Sequence, residues 1–318
     1  MERSEITHGG RILAVGDMTL DILCSPVSGI PEGDAQLQLE WIRLSPGGNT
    51  MNFALAAGAL GATVELHASH GGDGLSLFLK EWIRKCGVID MTFPSDDSGT
   101  ATTVAIPDTK GSRKLLTYTG ANSLMEIGPK HLDLQGVASL HTGGYFFQPA
   151  MAEGPIWDIL REARGSGVET SMDPATDPGG FEGEAAAKLR DNVHLLDILF
   201  VNEEEVRGLT GEGDLEMGIA SLIELGAKSV VVHQGSRGSR FISEDEDIQV
   251  KASPVKEILN PTGTGDIYNA GFVTARLKGL DITSSMEVGT AAAALHIGTS
   301  EPYYPSWKDV QNLLMSEK

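Results

Sequence analysis

The stretch Asn260-Pro261-Thr262-Gly263-Thr264-Gly265-Asp266-Ile267-Tyr268-Asn269-Ala270-Gly271-Phe272 runs a glycine-rich turn straight into a segment with helical periodicity. The first N–H groups of a helix lack internal partners, and the aligned peptide dipoles add partial positive charge there. Glycines let a phosphate come close to those amides. Asp266 falls in the first turn of the expected helix, beside that anion pocket. A carboxylate in this place can take a proton from an attacking hydroxyl while the amides hold a transferring phosphoryl group. The same residues would also make a plain N-cap, with Asp266 satisfying backbone donors, and the stretch alone leaves both readings open. A second glycine pair precedes a helical pattern in Ser45-Pro46-Gly47-Gly48-Asn49-Thr50-Met51-Asn52-Phe53-Ala54. It can act as a hinge or as a surface that a ligand approaches, with Asn52 offering a donor and an acceptor one turn into the helix. A turn followed by a core helix has the same pattern.

These stretches need elements to hold them. Short apolar runs rich in β-branched residues, at 11–16, 63–69, 137–142, 168–172, 198–201 and 229–233, alternate with helical periodicity at 49–60, 76–85, 156–165 and 217–225. Nearly all-apolar strands alternating with helices predict a parallel sheet covered on both faces, an α/β fold. After Gly263 the pattern is mostly helical, at 265–278, 283–298 and 306–315, and Ala291 to Ala294 permit close helix packing. Two segments, about 21–45 and 99–119, break the rhythm. Period-2 alternation at 37–44, 102–106 and 114–118 predicts half-exposed strands, with a hairpin turn at 108–111. They are expected to form a small β lid on one domain spanning 1–318, since a lid excludes water and completes a site. An edge sheet through which two copies pair is the other reading, and the two roles can coexist.

Composition narrows the function. The 318 residues suit one large α/β domain with an appendage, and 41% hydrophobic residues allow a full core. A formal net charge of −20 argues against a nucleic-acid partner. It does not exclude an anionic ligand bound by backbone amides. Two cysteines, Cys24 and Cys86, make neither a disulfide scaffold nor a cysteine zinc site. The polar start lacks a signal-peptide layout, and no apolar run is long enough to span a bilayer, so a cytoplasmic setting without a membrane partner is expected. No lysine follows a glycine, which excludes a Walker A loop. No Gly-x-Gly-x-x-Gly follows the first strand, which excludes a dinucleotide fingerprint.

Together the two glycine stretches resemble the PfkB, or ribokinase-like, family of carbohydrate kinases. The first is similar to the family's C-terminal signature, with Asn260 in place of its leading Asp; the second is similar to its Gly-Gly-x-x-x-Asn signature. The resemblance extends over Gly16-Asp17-Met18-Thr19-Leu20-Asp21, Gly120-Ala121-Asn122, Ser171-Met172-Asp173-Pro174, Asn202-Glu203-Glu204-Glu205 and Gln234-Gly235-Ser236-Arg237-Gly238. It implies a three-layer mononucleotide fold with a central, mostly parallel sheet and a β lid. It implies ATP and Mg²⁺, and a sugar-like substrate phosphorylated on a hydroxyl. Asp266 would be the base, with Gly263, Thr264 and Gly265 as the anion hole. Asp21, Gly47, Gly48 and Asn52 would hold the substrate. Asn202 and Glu205 would act near the phosphates and the hydrated magnesium, and Gly235, Ser236 and Gly238 would line the nucleotide pocket. The ion would be held mainly through water and phosphate, with no dedicated protein ligand other than, at most, Glu205. Asn260 replaces a carboxylate that helps many relatives hold a monovalent cation, and the loop from Gly298 to Pro305 is short, so potassium activation is not expected. A nucleoside kinase, or a non-catalytic ligand sensor on the same fold, are the alternatives.

Other features read more plainly. His67 and His70 lack further ligands for a metal role. Arg113 and Lys114 are expected on a solvated hairpin face, although contact with an anionic substrate or the phosphates is the other reading. Tyr145, Phe146 and Phe147 read as core or pocket wall. Asp17 either assists Asp21 or caps a turn. Residues 244–247 read as a solvated acidic turn.

Overall fold

Successive side chains along the central strands enter two different cores. Ile12 and Ala14 pack with Phe53, Phe200 and Phe272, whereas Leu13 and Val15 pack with Leu140, Trp157 and Leu199. A strand buried on both faces needs no polar alternation, which is why these segments read as continuous apolar runs. Each fully buried Leu or Phe of this kind contributes roughly 1.5–3 kcal/mol. The computed structural model describes residues 10–31, 33–109 and 113–317.

Nine strands make the central sheet, in the order Asp247–Val250, Ser239–Ser243, Ser229–His233, Ile198–Asn202, Glu169–Asp173, Val137–Gly143, Arg11–Val15, Val64–His67 and Ile89–Asp90. The seven from Ser229–His233 onward are parallel, and the first two join antiparallel. The helices Asn49–Ala59, Gly74–Lys85, Thr264–Leu277, Ile282–Ile297 and Trp307–Ser316 cover one face. Pro155–Gly165, Glu184–Asn192, Glu203–Thr210 and Leu215–Glu224 cover the other. Close approach of two helices depends on Gly271 and Gly289: a Cβ on Gly271 would lie 2.8 Å from the Gly289 Cα.

A second sheet forms the lid, in the order Ile42–Gly47, Thr19–Cys24, Ala101–Pro107 and Arg113–Tyr118. Asp21 pairs with Ser45 on one side and Thr103 on the other, so both inserted segments and the chain after the first strand meet at that residue. The strand expected at 37–44 is corrected: pairing begins only at Ile42, because Ser25 and Trp41 close the ladder and residues before them have no neighbour in it. Of the turn expected at 108–111, residues 110 and 111 lie outside the described residues. The acidic run 244–246 is the turn between the two antiparallel strands. No described helix is long and apolar enough to cross a membrane.

Candidate active site

The Asn49–Ala59 helix starts on Gly48, whose φ of 87° favours glycine and whose side supplies no cap. Asp17 does that work from the loop after the first strand. Its two carboxylate oxygens accept from the Asn49 N–H at 3.0 Å and the Thr50 N–H at 2.8 Å. Asp17 therefore caps a helix, and burial nonetheless pushes its pKa up to about 6 against the pull of those amides. Anchored in this way, the helix points Asn49 and Asn52 at the start of the Thr264–Leu277 helix.

There Gly263 is the N-cap, with φ 75°, and no side chain caps the helix. Asp266 does not cap it either. Its Oδ1 accepts from Asn49 Nδ2 at 2.9 Å and its Oδ2 from Asn52 Nδ2 at 3.0 Å. Tyr304 in turn donates its hydroxyl to Asn52 Oδ1 at 2.9 Å, which fixes the amide's orientation. The carboxyl is buried, and its pKa lies well above the usual carboxylate range. Burial is the main cause and the charge of Asp173 adds to it, while Asn52 and Asn49 pull it back. A buried carboxylate with raised proton affinity, held by two donors that leave it unpaired with any cation, has the chemistry to accept a proton.

Asp266 opens on a cavity of about 190 Å³ between body and lid. Asp17, Asp21, Gly48, Asn49, Asn52 and Gly263 line it from the body and the lid's root, and Leu23, Thr103, Ala105, Arg113, Leu115 and Thr117 line it from the lid. Asp21 is buried and takes no hydrogen bond from any described residue; burial, then the charge of Asp17, raise its pKa to about 7, and Arg113 pulls it down. Gly47 touches the same carboxylate: a Cβ there would lie 2.4 Å from Asp21 Cγ. Thr264 and Gly265 are the first residues of the helix, with the Thr264 hydroxyl donating to the Pro261 carbonyl at 3.0 Å. Arg113 and Lys114 are both exposed, as expected of a solvated hairpin face, and Arg113 in addition lines the cavity and donates from Nη1 to Thr262 Oγ1 at 3.0 Å. Arg43 makes a second lid-to-body link, to the Ser300 carbonyl at 2.8 Å.

Asn202, Glu205, Gly235, Ser236 and Gly238 do not line this cavity. They lie past the carboxyl ends of Ile198–Asn202 and Ser229–His233, at the edge of the sheet where α/β ligand sites form. Asn202 and Glu205 form a capping box on the Glu203–Thr210 helix: the Glu205 N–H donates to Asn202 Oδ1, and the Asn202 N–H to Glu205 Oε2, each at 2.9 Å. Gly235 has open space beside it. Gly238, by contrast, has φ 96° and a Cβ there would stand 2.0 Å from the Val250 carbonyl, so the strand pairing alone demands glycine. A relay joins the two regions. His233 Nε2 meets Asn269 Oδ1 at 3.0 Å, and Asn269 Nδ2 donates to Asp173 Oδ2 at 2.8 Å. Asp173 accepts from Ala175 N–H and Asn269, and Glu205 from Asn202 N–H and Thr176; all four donors are neutral. Burial raises both pKa values, and a neighbouring charge adds to it in each case, Glu205 at Asp173 and Glu204 at Glu205. Two buried acids without a protein cation suit a hydrated magnesium ion carried by phosphates. Among the described residues no group of three or more His, Cys, Asp or Glu could hold a metal by itself.

Sequence reasoning gave Asn52 a role but gave none to Asn49, Asp173, Asn269 or Tyr304. Asn49 stands beside the glycine pair and Asp173 ends a strand, which were the available signals. Nothing local marks Tyr304 as a partner of Asn52.

The chain matches the model of the pfkB family carbohydrate kinases over residues 10–309, and it belongs to that family. It is 28% identical to a nucleoside kinase of Methanothermobacter thermautotrophicus, over 89% of this chain and 88% of that protein. Among solved structures it is similar to a putative ribokinase II of E. coli in complex with ATP and Mg²⁺, with a TM-score of 0.84, 22% identity, and 96% and 99% of the two chains covered. It is also similar to Arabidopsis thaliana ribokinase complexed with ribose and ATP, with a TM-score of 0.81, 23% identity, and 96% and 98% covered. The fold is thus ribokinase-like, and the chain is a phosphotransferase with a hydroxyl acceptor, a sugar or nucleoside kinase.

Proposed function

We propose that this pfkB-family kinase moves the terminal phosphoryl group of ATP to a hydroxyl of a sugar-like acceptor held between Asp21 and Asp266. One observation carries the reading: Asp266 is buried at the head of a helix, uses neither oxygen to cap it, and faces the cavity between two side-chain amides. Asp21, Gly47, Gly48 and Asn52 orient the acceptor; an unpaired carboxylate beside an amide accepts from and donates to neighbouring hydroxyls. Asp266 takes the proton of the reacting hydroxyl as its oxygen attacks. The N–H groups of Gly263, Thr264 and Gly265 hold the charge that develops on the transferring group. Asn202, Glu205, Gly235, Ser236 and Gly238 flank the nucleotide, and Arg113 closes the lid over the turn at Thr262. Bound Mg²⁺ would neutralise phosphate charge, with Asp173 and Glu205 behind its water shell.

The acceptor has two forms worth separating. The lid wall of Leu23, Ala105 and Leu115 is apolar, as a flat base or an alkyl face would require, and this favours a riboside alongside a free sugar. The exposed Leu116 and Tyr118 on the edge strand Arg113–Tyr118 support pairing of two copies through the lid. With Asn260 in the turn, turnover is expected without added potassium.

The test is ADP release from Mg-ATP across sugars, keto-sugar acids and nucleosides, beside Asp266→Asn. An acceptor should stimulate the parent, and the variant should lose about 10²–10⁴-fold in kcat. The parent's kcat/KM should rise with pH as Asp266 ionises, at a pH above that of an ordinary carboxylate. Equal turnover by the variant would overturn Asp266 as base, and a sensor function would survive the substitution.

A further inference from the structure

We propose that His296 is a buried imidazolium, a positioning residue that pins the glycine turn of the anion hole to the loop following its own helix. The function of that turn rests on the kinase reading above; the charge on the ring does not. His296 lies in the last turn of Ile282–Ile297 and is 3% exposed. Its Nε2 is 2.8 Å from the carbonyl oxygen of Thr262, and its Nδ1 is 2.7 Å from that of Tyr303. A carbonyl oxygen only accepts, and a neutral imidazole has a single N–H. Placing that proton on either nitrogen leaves the other lone pair against a carbonyl oxygen at hydrogen-bond distance, with no donor between them. Only the doubly protonated ring satisfies both oxygens. The last turn of a helix also favours a cation, through its unsatisfied carbonyls and the helix dipole.

The pin has a direct effect on the turn. Thr262 and Gly263 share a trans peptide, whose C=O and N–H point opposite ways. Holding the Thr262 oxygen on the ring therefore aims the Gly263 N–H away from it, and Gly263 lines the cavity. Arg113 grips the same Thr262 from the lid. On its other side the ring holds Tyr303, whose neighbour Tyr304 orients Asn52 and through it Asp266. One side chain thus couples the anion turn to the support of the base. Four acidic groups on the elements packed around it are engaged elsewhere. Asp266 is held by Asn49 and Asn52, Asp309 by Ser306 and Tyr303, Asp247 by Arg240, and Glu301 by Arg43. Tyr304 lies edge-tilted with its centroid 6.2 Å from the ring, and burial raises its pKa well above the usual value, so it stays neutral.

The experiment has two parts. Nitrogen NMR of the unaltered protein near neutral pH should show both His296 ring nitrogens bearing protons. One unprotonated nitrogen would overturn the claim whatever the activity. In the acceptor-stimulated assay, His296→Ala should lose about 10- to 100-fold in kcat with KM values little changed, because a misaimed donor costs the transition state and not substrate binding. Added imidazole should restore turnover at pH values where imidazole is cationic and fail where it is neutral. A loss confined to KM, or rescue that ignores imidazole's charge, would also overturn it. Should the variant fail to fold, the ring spectrum decides by itself.

Discussion

Replacing Asp21 with Asn should stabilise the unliganded protein while it weakens acceptor binding. Asp21 is 7% exposed, beside Asp17, and takes no hydrogen bond from a described residue. Its pKa rises from 3.8 to about 7, so the folded protein binds this proton more tightly than the unfolded chain does. The linkage then has one sign: stability is fully present below about pH 4 and is lost as pH rises through 7. At 1.36 kcal/mol per pKa unit the ionised side chain costs the fold about 4 kcal/mol at pH 8, and roughly 2 kcal/mol at pH 5. Asn keeps the shape without the charge and should recover most of that difference. Urea unfolding of parent and variant at both pH values measures it, and acceptor KM measures the functional loss, expected at about 10- to 100-fold for one hydrogen bond to a charged group. A variant no more stable than the parent at pH 8, or a gap that ignores pH, would refute the reading of Asp21 as an unpaired buried acid.

Two further substitutions probe the turn and the lid. Gly263→Ala forces a side chain into φ 75° and puts a Cβ 2.8 Å from Asn52 Nδ2, so kcat should fall by about 10²-fold, with acceptor KM as the check that binding survives. Arg113→Ala removes the link to Thr262 and should raise acceptor KM; small-angle scattering with acceptor and nucleotide should show the parent contracting and the variant doing so less, and an unchanged parent radius would count against lid closure.

The parts of the site that were legible are those whose chemistry is consecutive in the chain. Turn, helix start and carboxylate follow one another from Gly263 to Asp266, so the role proposed for them could be read from one string. The amides that hold Asp266 could not, since Asn49 and Asn52 lie 217 and 214 residues away and only the crossing of two helices brings them to Asp266. The parallel strands were legible because burial on both faces removes polar residues from them. The lid strand before Ile42 was overread: alternation at 37–41 describes exposure that no neighbouring strand uses. Arg113 is exposed as expected, but its bond to Thr262 was not legible, because a hairpin's two faces look alike until one of them meets a turn from the far end of the chain.

The charge balance of the site explains why its parts come from so many elements. Asp17, Asp21, Asp173 and Asp266 all have raised pKa values, with burial as the leading cause each time. Each would be more comfortable near a cation, yet Asp17, Asp173 and Asp266 accept from backbone and side-chain amides, and Asp21 from no described residue. A strong cation within reach of Asp266 would stabilise the fold and lower the proton affinity that the proposed base needs. The positive groups are kept one step back, with Arg113 on the lid at Thr262 and His296 behind the same residue, where they act on the anion turn. In the proposed reaction, substrate and magnesium would supply the missing charge and hydrogen bonds only when turnover is about to begin. Binding them should therefore raise stability well beyond what contact area alone would give.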